Sequence, residues 1–339
     1  MRTQSQTEKG GRKKVRALVT GGSGSLGKAI VRRLLEDGCY EVHSLDLKLP
    51  DEKDRNPHVS SYVQADVTNL DDLVTAFEGI DAVFHTAATL PRLGLTEEEC
   101  YRVNVGGTIN VVTACTRCHV SRLIYTSSGS AVMTEKGSFS NPTGPTPPNT
   151  RAPVNMYAGS KARAEEAVCA SNGRDGLLTC ALRPGMILGV DNVSTILCLT
   201  YRLFYYDDGH DCWQIAPIAS LADAHLLAEK KLQLEGGDSV AAGNTYFICG
   251  VRVPMRDLYG KMEGPATTIW GQPPPFYLPK RLLMFLAHLN VALYSLTGVS
   301  VFGASGEGLV PANISMLADH NCDCTPASAR IKVVLVVRP

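Results

Sequence analysis

The fold of this chain is decided by residues 15–27, Val15-Arg-Ala-Leu-Val-Thr-Gly-Gly-Ser-Gly-Ser-Leu-Gly27, where an apolar run leads directly into three spaced glycines. The apolar run predicts a buried β-strand, and the residues after it predict a helix over about 26–36. Gly21 permits a tight exit from the strand, and Gly24 lets a ligand approach the backbone closely. Gly27 lets the helix pack against the sheet, so the stretch predicts a strand, a tight turn and a helix in this order.

This order of elements is typical of dinucleotide-binding sites, where the pyrophosphate lies at the positive end of the helix. Ser25 and Leu26 open the predicted helix, and we expect them to contact the cofactor together with the three glycines. Glycine triplets also arise by chance in a chain that holds 31 glycines, so a plain strand, turn and helix is the alternative.

The next predicted strand, over residues 41–46, ends in Asp46, at the distance from the glycine turn where such sites carry an acidic residue. A carboxylate there accepts hydrogen bonds from the ribose hydroxyls and repels a 2′-phosphate. The sequence therefore favours NAD over NADP. Lys48 lies close enough to hold a phosphate, and a solvated carboxylate at a strand end is the alternative for Asp46.

Two further predicted strands, over residues 61–65 and 80–85, are each followed by residues suited to a flat ligand. Asp66 and Val67 follow the first, and Ala87 lies among small residues after the second. Ligands of parallel sheets bind outside the carboxyl ends of the strands. We therefore assign these three residues to the cofactor site.

The catalytic prediction rests on a strand over residues 122–128 that ends in hydroxyl groups and on a helix-like segment that follows it. Tyr157 and Lys161 are four residues apart and share one face of that helix. Adjacent strand residues point to opposite sides, so one of the two serines faces the site. We favour Ser128, and Ser127 is the alternative.

This combination of side chains suits the oxidation of an alcohol. A phenol with a pKa near 10 is a weak base at pH 7. The Lys161 ammonium and the charge of the oxidised nicotinamide are expected to lower the pKa of Tyr157. Tyr157 then takes the proton of the alcohol, hydride leaves the same carbon, and Ser128 holds the substrate oxygen. The alternative is a fold retained without activity.

The motifs resemble the short-chain dehydrogenase/reductase superfamily in its extended form. Within it, the chain is similar to the 3β-hydroxysteroid dehydrogenase family, including the sterol 4-carboxylate 3-dehydrogenases. The matching stretches are residues 20–27, Asp66-Val67, His85-Thr-Ala-Ala88, Val103-Asn-Val-Gly-Gly-Thr108, Tyr125-Thr-Ser-Ser128, residues 157–161 and Leu182-Arg-Pro-Gly185. The resemblance implies NAD-dependent oxidation of a 3β-hydroxyl group on a sterol, steroid or terpenoid, with loss of the 4-carboxylate where the substrate carries one.

The resemblance also implies roles for individual residues. It makes Asp46 the ligand of the adenosine ribose, and it makes Tyr157 and Lys161 catalytic, with Ser128 positioning the substrate. Pro184, followed by glycine, borders the nicotinamide. Asn104 organises the site or has a structural role. The serines are not followed by the acid that is common in sugar-nucleotide dehydratases of the superfamily, so dehydration is not expected.

We predict an α/β fold, a Rossmann-type doubly wound parallel sheet with a smaller C-terminal substrate region. Residues 1–14 form a polar tail, and residues 15–190 form the NAD-binding domain. Residues 191–339 are mainly the substrate region, with 214–249 returning to the Rossmann domain. The tail lacks the apolar run of a secretory signal, which predicts an intracellular protein in the cytoplasm or on the cytoplasmic face of the endoplasmic reticulum.

Composition argues against several other classes of function. The 33 basic and 33 acidic residues balance, so nothing in the charge favours a nucleic-acid partner. Eleven scattered cysteines without framework spacing suit a reducing compartment. We expect no metal site: the haem-like spacing of Cys115, Cys118 and His119 is a coincidence, and Cys322 with Cys324 is too isolated for zinc. His85 closes an apolar strand, which is typical of a structural histidine.

Residues 282–296 form the stretch best suited to meet lipid. The run is shorter than the roughly 20 apolar residues of a spanning helix and carries His288 and Asn290. Peripheral membrane contact and a buried core helix are the alternatives. The sequence leaves the oligomeric state open.

Two other functions remain as alternatives to the oxidation of a small apolar alcohol. A sugar-nucleotide epimerase would use the same scaffold but needs polar and cationic groups for a diphosphate, and the apolar residues 282–296 argue against it. A dinucleotide-sensing protein without catalysis would keep the glycine turn but would not need Tyr157 and Lys161.

Overall fold

The computed structural model describes residues 13–133, 146–189, 205–206, 212–254 and 277–297. The strands are β1 (Val15–Thr20), β2 (Tyr40–Asp46), β3 (Ser61–Gln64), β4 (Ala82–His85), β5 (Arg122–Thr126), β6 (Leu178–Pro184), β7 (Met186–Leu188), β8 (Tyr205–Tyr206), β9 (Cys212–Pro217), β10 (Asn244–Ile248), β11 (Val251–Pro254) and β12 (Tyr277–Leu278). The α-helices are α1 (Ser25–Asp37), α2 (Leu70–Phe77), α3 (Glu97–Tyr101), α4 (Gly107–Arg117), α5 (Met156–Ala170), α6 (Ile218–Glu235) and α7 (Lys280–Thr297). A π-turn over Arg102–Gly106 joins α3 to α4.

Seven strands form one sheet in the order β10-β6-β5-β4-β1-β2-β3, and every neighbouring pair is parallel. Strands β2 and β3 follow β1 toward one edge of the sheet, and β5, β6 and β10 follow β4 toward the other edge. The boundary between β1 and β4 is therefore the topological switch point, where α/β sheets bind ligands. The predicted doubly wound Rossmann-type fold is confirmed.

Helices cover both faces of this sheet, which explains why its central strands β1, β4, β5 and β6 are buried in nearly continuous runs rather than at alternate residues. One core cluster combines sheet residues such as Val19 and Phe84 with side chains of α1 and α6. The other combines residues such as Leu18 and Val83 with side chains of α2, α4 and α5. Adjacent residues of one strand thus serve opposite cores, as the pleat requires.

The glycine turn has the geometry that the sequence predicts. Gly21 adopts a φ of +71°, which a residue with a side chain rarely adopts, and Gly24 N donates to Gly21 O at 3.0 Å. A Cβ atom at Gly27 would lie 2.0 Å from Gly21 O. Only glycine at position 27 therefore lets α1 start this close to the turn.

Residues 214–249 divide between two sheets. Strand β10 extends the main sheet by pairing with β6, and α6 packs against the same core as α1. Strand β9 instead joins β7 and β11 in a three-stranded sheet. The exact division of the chain into a cofactor domain and a substrate region stays a prediction.

Several predictions fall outside the described residues. They concern most of the polar tail over 1–14, the pair Cys322 and Cys324, and the larger part of residues 191–339. Among the helices that the structure does describe, none has the length and apolarity needed to cross a bilayer.

Candidate active site

A cavity of about 840 Å³ opens at the carboxyl ends of the strands around the switch point. Every residue that the sequence assigns to the cofactor or to catalysis lines it. These residues are Gly21, Gly24, Ser25, Leu26, Gly27, Asp46, Asp66, Val67, Ala87, Ser128, Tyr157, Lys161 and Pro184. They come from positions up to 163 residues apart, and parallel strands bring them to one edge of the sheet.

The start of α1 fits an anionic ligand. The helix begins after Gly24, which supplies no side-chain cap, and its first turn contains no acidic residue. Its first backbone N–H groups therefore remain available to a phosphate. Beside them, the Ser23 hydroxyl is buried without a hydrogen-bond partner, although the residue lines the cavity. A pyrophosphate at this position fits both features.

Asp46 is held at the cavity wall by two backbone groups. Its Oδ2 accepts from Ser23 N at 2.9 Å, and its Oδ1 accepts from Lys48 N at 3.2 Å. Each carboxylate oxygen keeps a lone pair for a further donor, which suits the hydroxyl groups of a ribose. The Lys48 residue also lines the cavity, so the alternative phosphate ligand lies within the same site.

Tyr157 lies in the first turn of α5, which begins where the Asn155 side chain accepts a hydrogen bond from Ala158 N at 2.8 Å. Burial raises the pKa of Tyr157 to about 12, while a hydrogen bond with Ser128 opposes this rise. The sequence predicts instead that Lys161 lowers this pKa. In the structure the Lys161 ammonium is directed to Thr126 O, so the protein by itself does not supply the expected stabilisation of the phenolate.

Lys161 is fully enclosed one helical turn after Tyr157. Its Nζ donates to Thr126 O at 2.7 Å and lies 4.5 Å from the centre of the Tyr125 ring. Burial lowers the pKa of Lys161 to about 7, and Glu165 acts in the opposite direction. The ammonium is therefore close to neutralisation at physiological pH, and the groups that surround it decide its charge.

The two serines after β5 point in different directions, as residues of an extended strand do. Ser127 Oγ donates to the buried Glu165 Oε2 at 2.6 Å, although Ser127 also lines the cavity. Ser128 Oγ lies 2.8 Å from Ser130 Oγ and hydrogen-bonds with Tyr157. This geometry favours Ser128 as the residue that meets the substrate.

Asn104 has both roles that the sequence leaves open: it organises the site, and it has a structural role. Its Oδ1 accepts from Thr89 N at 2.8 Å, and its Nδ2 donates to Ser160 Oγ at 2.9 Å and to Thr89 O at 3.1 Å. It thereby ties the π-turn to α5 and to the loop after β4, which lines the cavity. Asn104 is not itself a lining residue of the cavity, so it supports the site from behind.

His85 is a structural residue in the described site. Thr108 Oγ1 donates to Asn104 O at 2.6 Å, so it accepts from His85 Nε2 at 3.0 Å. His85 Nδ1 then accepts from Thr20 Oγ1 at 2.7 Å. Burial lowers the pKa of His85 to about 3, which keeps the ring neutral. No cluster of three or more potential metal ligands occurs among the residues that the structure describes.

Sequence reasoning missed Glu165 and Arg183, which form a buried ion pair next to Lys161. The signal was present in the spacing, because Glu165 follows Lys161 by four residues and shares its helical face. This spacing does not by itself indicate a buried residue, because an acidic residue on a helix is usually exposed to solvent.

A model of the 3-beta hydroxysteroid dehydrogenase/isomerase family matches residues 18–260. The Arabidopsis thaliana protein named 3beta-hydroxysteroid-dehydrogenase/decarboxylase isoform 2 is 31% identical over 94% of the chain and 59% of its own length. Isoform 1 is 31% identical over 93% of the chain and 74% of its own length. A 3-beta-hydroxysteroid dehydrogenase of Mycolicibacterium neoaurum is 41% identical over 51% of the chain and 48% of its own length. The chain thus spans about half to three quarters of the length of these relatives.

Solved structures support the fold. The crystal structure of gox2253 superposes with a TM-score of 0.67 at 22% identity and covers 96% of this chain and 92% of that one. DesIV, a dTDP-glucose 4,6-dehydratase from Streptomyces venezuelae, superposes with a TM-score of 0.61 at 23% identity over 78% of this chain and 84% of its own. At such identities the likeness shows the architecture and not the substrate.

Proposed function

The chain belongs to the 3-beta hydroxysteroid dehydrogenase/isomerase family, and from this premise we propose that it catalyses the NAD-dependent oxidation of a secondary alcohol. The substrate is the 3β-hydroxyl group of a sterol, steroid or terpenoid. One observation carries the proposal: Ser128, Tyr157 and Lys161 line the same cavity as an uncapped helix start that follows a glycine turn.

The protein's own residues would hold the cofactor in a defined orientation. The start of α1 receives the pyrophosphate, and Asp46 accepts from the adenosine ribose. Asp66 and Val67 border the adenine, and Pro184 borders the nicotinamide. The repulsion between Asp46 and a 2′-phosphate makes NAD the preferred cofactor over NADP.

In the reaction, Ser128 and Tyr157 hold the alcohol oxygen, and Tyr157 removes its proton. The carbon that carries this oxygen loses a hydride, so the alcohol becomes a ketone. When bound, NAD accepts the hydride, and its positive charge favours the phenolate over the phenol. The positive charge of the bound cofactor, rather than the Lys161 ammonium that donates to Thr126 O, would therefore oppose the effect of burial on Tyr157.

The first experiment incubates the purified protein with NAD and a panel of 3β-hydroxysterols, steroids and terpenoid alcohols. Formation of NADH is followed by absorbance, and the ketone is identified by mass spectrometry. Turnover that requires Tyr157 supports the proposal. Activity confined to sugar nucleotides would replace it with the epimerase alternative, and NAD binding without turnover of any alcohol would favour a sensor.

We further propose that the alcohol carries a carboxylate on the adjacent carbon 4. Oxidation of such a substrate gives a β-keto acid, which loses carbon dioxide without a metal ion. The two Arabidopsis thaliana relatives are named dehydrogenase/decarboxylases, which supports this substrate. In the described cavity lining, Arg92 offers a guanidinium to a carboxylate, and its present partner is Glu99, at 3.1 Å in an exposed pair.

The matched test compares a 4-carboxy-3β-hydroxysterol with the same sterol lacking the carboxylate. With Arg92→Gln, we expect KM to rise for the carboxylated sterol alone. Arg102→Gln is the control, because Arg102 also lines the cavity but donates to Thr68 Oγ1 at 3.0 Å. Equal turnover of both sterols without release of carbon dioxide would refute the carboxylated substrate. It would show that the protein oxidises the alcohol without decarboxylation.

We also propose that the protein meets the cytoplasmic face of the endoplasmic reticulum through α7. On this helix Leu282, Phe285, Leu289 and Leu296 are exposed at positions that share one face, whereas Ala287 and Asn290 are buried. An exposed apolar stripe next to the exposed Arg281 suits the boundary between lipid headgroups and acyl chains. Co-sedimentation with anionic phospholipid vesicles should weaken in Phe285→Glu and persist in Ser295→Glu; equal binding by both variants would refute this contact.

A further inference from the structure

A buried ion pair lies next to the proposed catalytic residues, between α5 and β6. Arg183 Nη2 and Nε donate to Glu165 Oε1 and Oε2 at 2.5 and 2.8 Å, and both side chains are at most 1% exposed. Such a pair carries a large desolvation cost, so it is weak evidence for a purely stabilising role. Its contacts with the site indicate a different reason for its presence.

The carboxylate of Glu165 is joined to the strand end that carries the site. Ser127 Oγ donates to it at 2.6 Å. Ser127 lies between Thr126, whose carbonyl accepts from Lys161, and Ser128, which hydrogen-bonds with Tyr157. One carboxylate on α5 therefore anchors the part of β5 that holds both partners of the tyrosine and the lysine.

Glu165 also supplies charge. The titratable and charged groups around Lys161 are Tyr157 and Glu165 on α5, Tyr125 on β5, His85 on β4, Cys100 on α3 and, paired with Glu165, Arg183 on β6. Burial raises the pKa of both tyrosines and of Cys100, and it lowers the pKa of His85, so these four groups are neutral at pH 7. Among the described groups around Lys161, Glu165 is then the one that contributes negative charge.

We propose that Glu165 is a positioning residue that holds the end of β5 in place and keeps the Lys161 side chain charged within an apolar enclosure. Arg183 orients the carboxylate by pairing with both of its oxygens. The consequence for catalysis rests on the proposed dehydrogenase function, but the charge of Lys161 is measurable without substrate or cofactor.

The test titrates Lys161 in protein labelled with ¹³C at the lysine Cε atoms. The resonance that disappears in Lys161→Met identifies the residue. In Glu165→Gln, we expect the midpoint of this titration to fall by about one pH unit or more, because Glu165 raises the pKa of Lys161 and a neighbouring opposite charge shifts a pKa by about 1–3 units. Glu166→Gln is the matched control, since it removes an exposed carboxylate from the adjacent position and leaves the midpoint unchanged.

Activity supplies a second readout. An ammonium is present below its pKa and is lost as the pH rises through it. The alkaline limb of the kcat/KM profile is therefore expected at lower pH in Glu165→Gln than in the unmodified protein or Glu166→Gln. Glu165→Asp retains the negative charge, so the alkaline limb of its profile should lie close to that of the unmodified protein.

Glu165→Gln leaves Arg183 buried without its partner, so this variant can fail to fold. Glu165→Gln combined with Arg183→Met removes both charges, and the Lys161 midpoint is expected to fall there as well. An unchanged midpoint in whichever variant folds would overturn the proposal and leave a purely structural ion pair. If no alcohol is oxidised at all, the proposed function fails, while the titration still decides the role of Glu165.

Discussion

The hydroxyl group of Tyr157 is the atom on which the proposed proton transfer depends. Tyr157→Phe deletes this group and leaves the ring and the start of α1 in place. We expect turnover to fall by about 100-fold or more, with nearly unchanged affinity for NAD. Steady-state kinetics and calorimetric NAD binding measure the two effects. Tyr246→Phe is the control, because the Tyr246 hydroxyl donates to Val240 O outside the cavity; a Tyr157 variant that keeps a tenth of the rate would refute the assignment.

Asp46 is expected to set the choice of cofactor. Its carboxylate accepts from a ribose hydroxyl group but repels a 2′-phosphate. The unmodified protein should therefore show a higher kcat/KM with NAD than with NADP, and Asp46→Ala or Asp46→Arg should narrow or reverse the ratio. Competition assays with both cofactors measure this ratio. A preference of the unmodified protein for NADP would indicate that Lys48 binds the phosphate instead.

At the scale of the element, the strand, turn and helix around β1 and α1 depend on close backbone contact. A Cβ atom at position 27 would lie 2.0 Å from Gly21 O, so Gly27→Ala must displace either the helix or the turn. We expect a loss of more than about 2 kcal/mol in the free energy of unfolding. Gly106→Ala is the control, because its Cβ meets nothing within 4 Å. Urea unfolding compares the two variants with the unmodified protein. Equal unfolding midpoints of Gly27→Ala and Gly106→Ala would show that the turn tolerates a side chain.

At the same scale, helix α5 shows where sequence patterns stop being informative. The spacing of Tyr157 and Lys161 predicts that both face the cavity, and both line it. An acidic residue on a helix is usually exposed, yet the side chain of Glu165 is fully buried. Helical periodicity identifies residues that share a face, but Arg183 comes from β6, and its pairing with Glu165 is a contact between elements distant in the chain.

At the scale of the whole molecule, buried histidines link stability to acid. His225 on α6 donates from Nδ1 to Leu221 O at 2.8 Å, so its Nε2 accepts from Thr126 Oγ1 at 2.7 Å. Burial lowers the pKa of His225 to about 4 and that of His85 to about 3. An unfolded chain binds these protons near pH 6.5. The contribution of the two neutral histidines to the free energy of unfolding is therefore complete above about pH 6.5. It is lost as the pH falls toward 4, because the unfolded chain then binds protons that the folded protein does not bind.

We therefore expect the free energy of unfolding to fall between pH 6.5 and 4 by about 1.4 kcal/mol per pH unit for each of these histidines. Replacing His225 with Gln should flatten this dependence. Urea unfolding at a series of pH values measures it, with His58→Gln as the control because His58 is exposed. An equal slope in the His225 and His58 variants would show that His225 does not titrate on unfolding.

The sequence by itself determined the fold class and the edge of the sheet where the site lies. Local patterns carry this information: an apolar run, glycines at set spacings and polar residues at the ends of several strands are each visible within a few residues, and parallel strands bring those ends together. Local patterns of this kind are sufficient to predict that Asp46, Ser128 and Tyr157 line the cavity.

Only the tertiary structure decided how the site is arranged and charged. It directs Ser127 to Glu165 and Ser128 to Tyr157, and it pairs Glu165 with Arg183. It also raises the pKa of Tyr157 and lowers that of Lys161, because burial removes the water that stabilises a charge. Burial and contacts between distant elements are properties of the packed molecule, so no local pattern in the chain contains them.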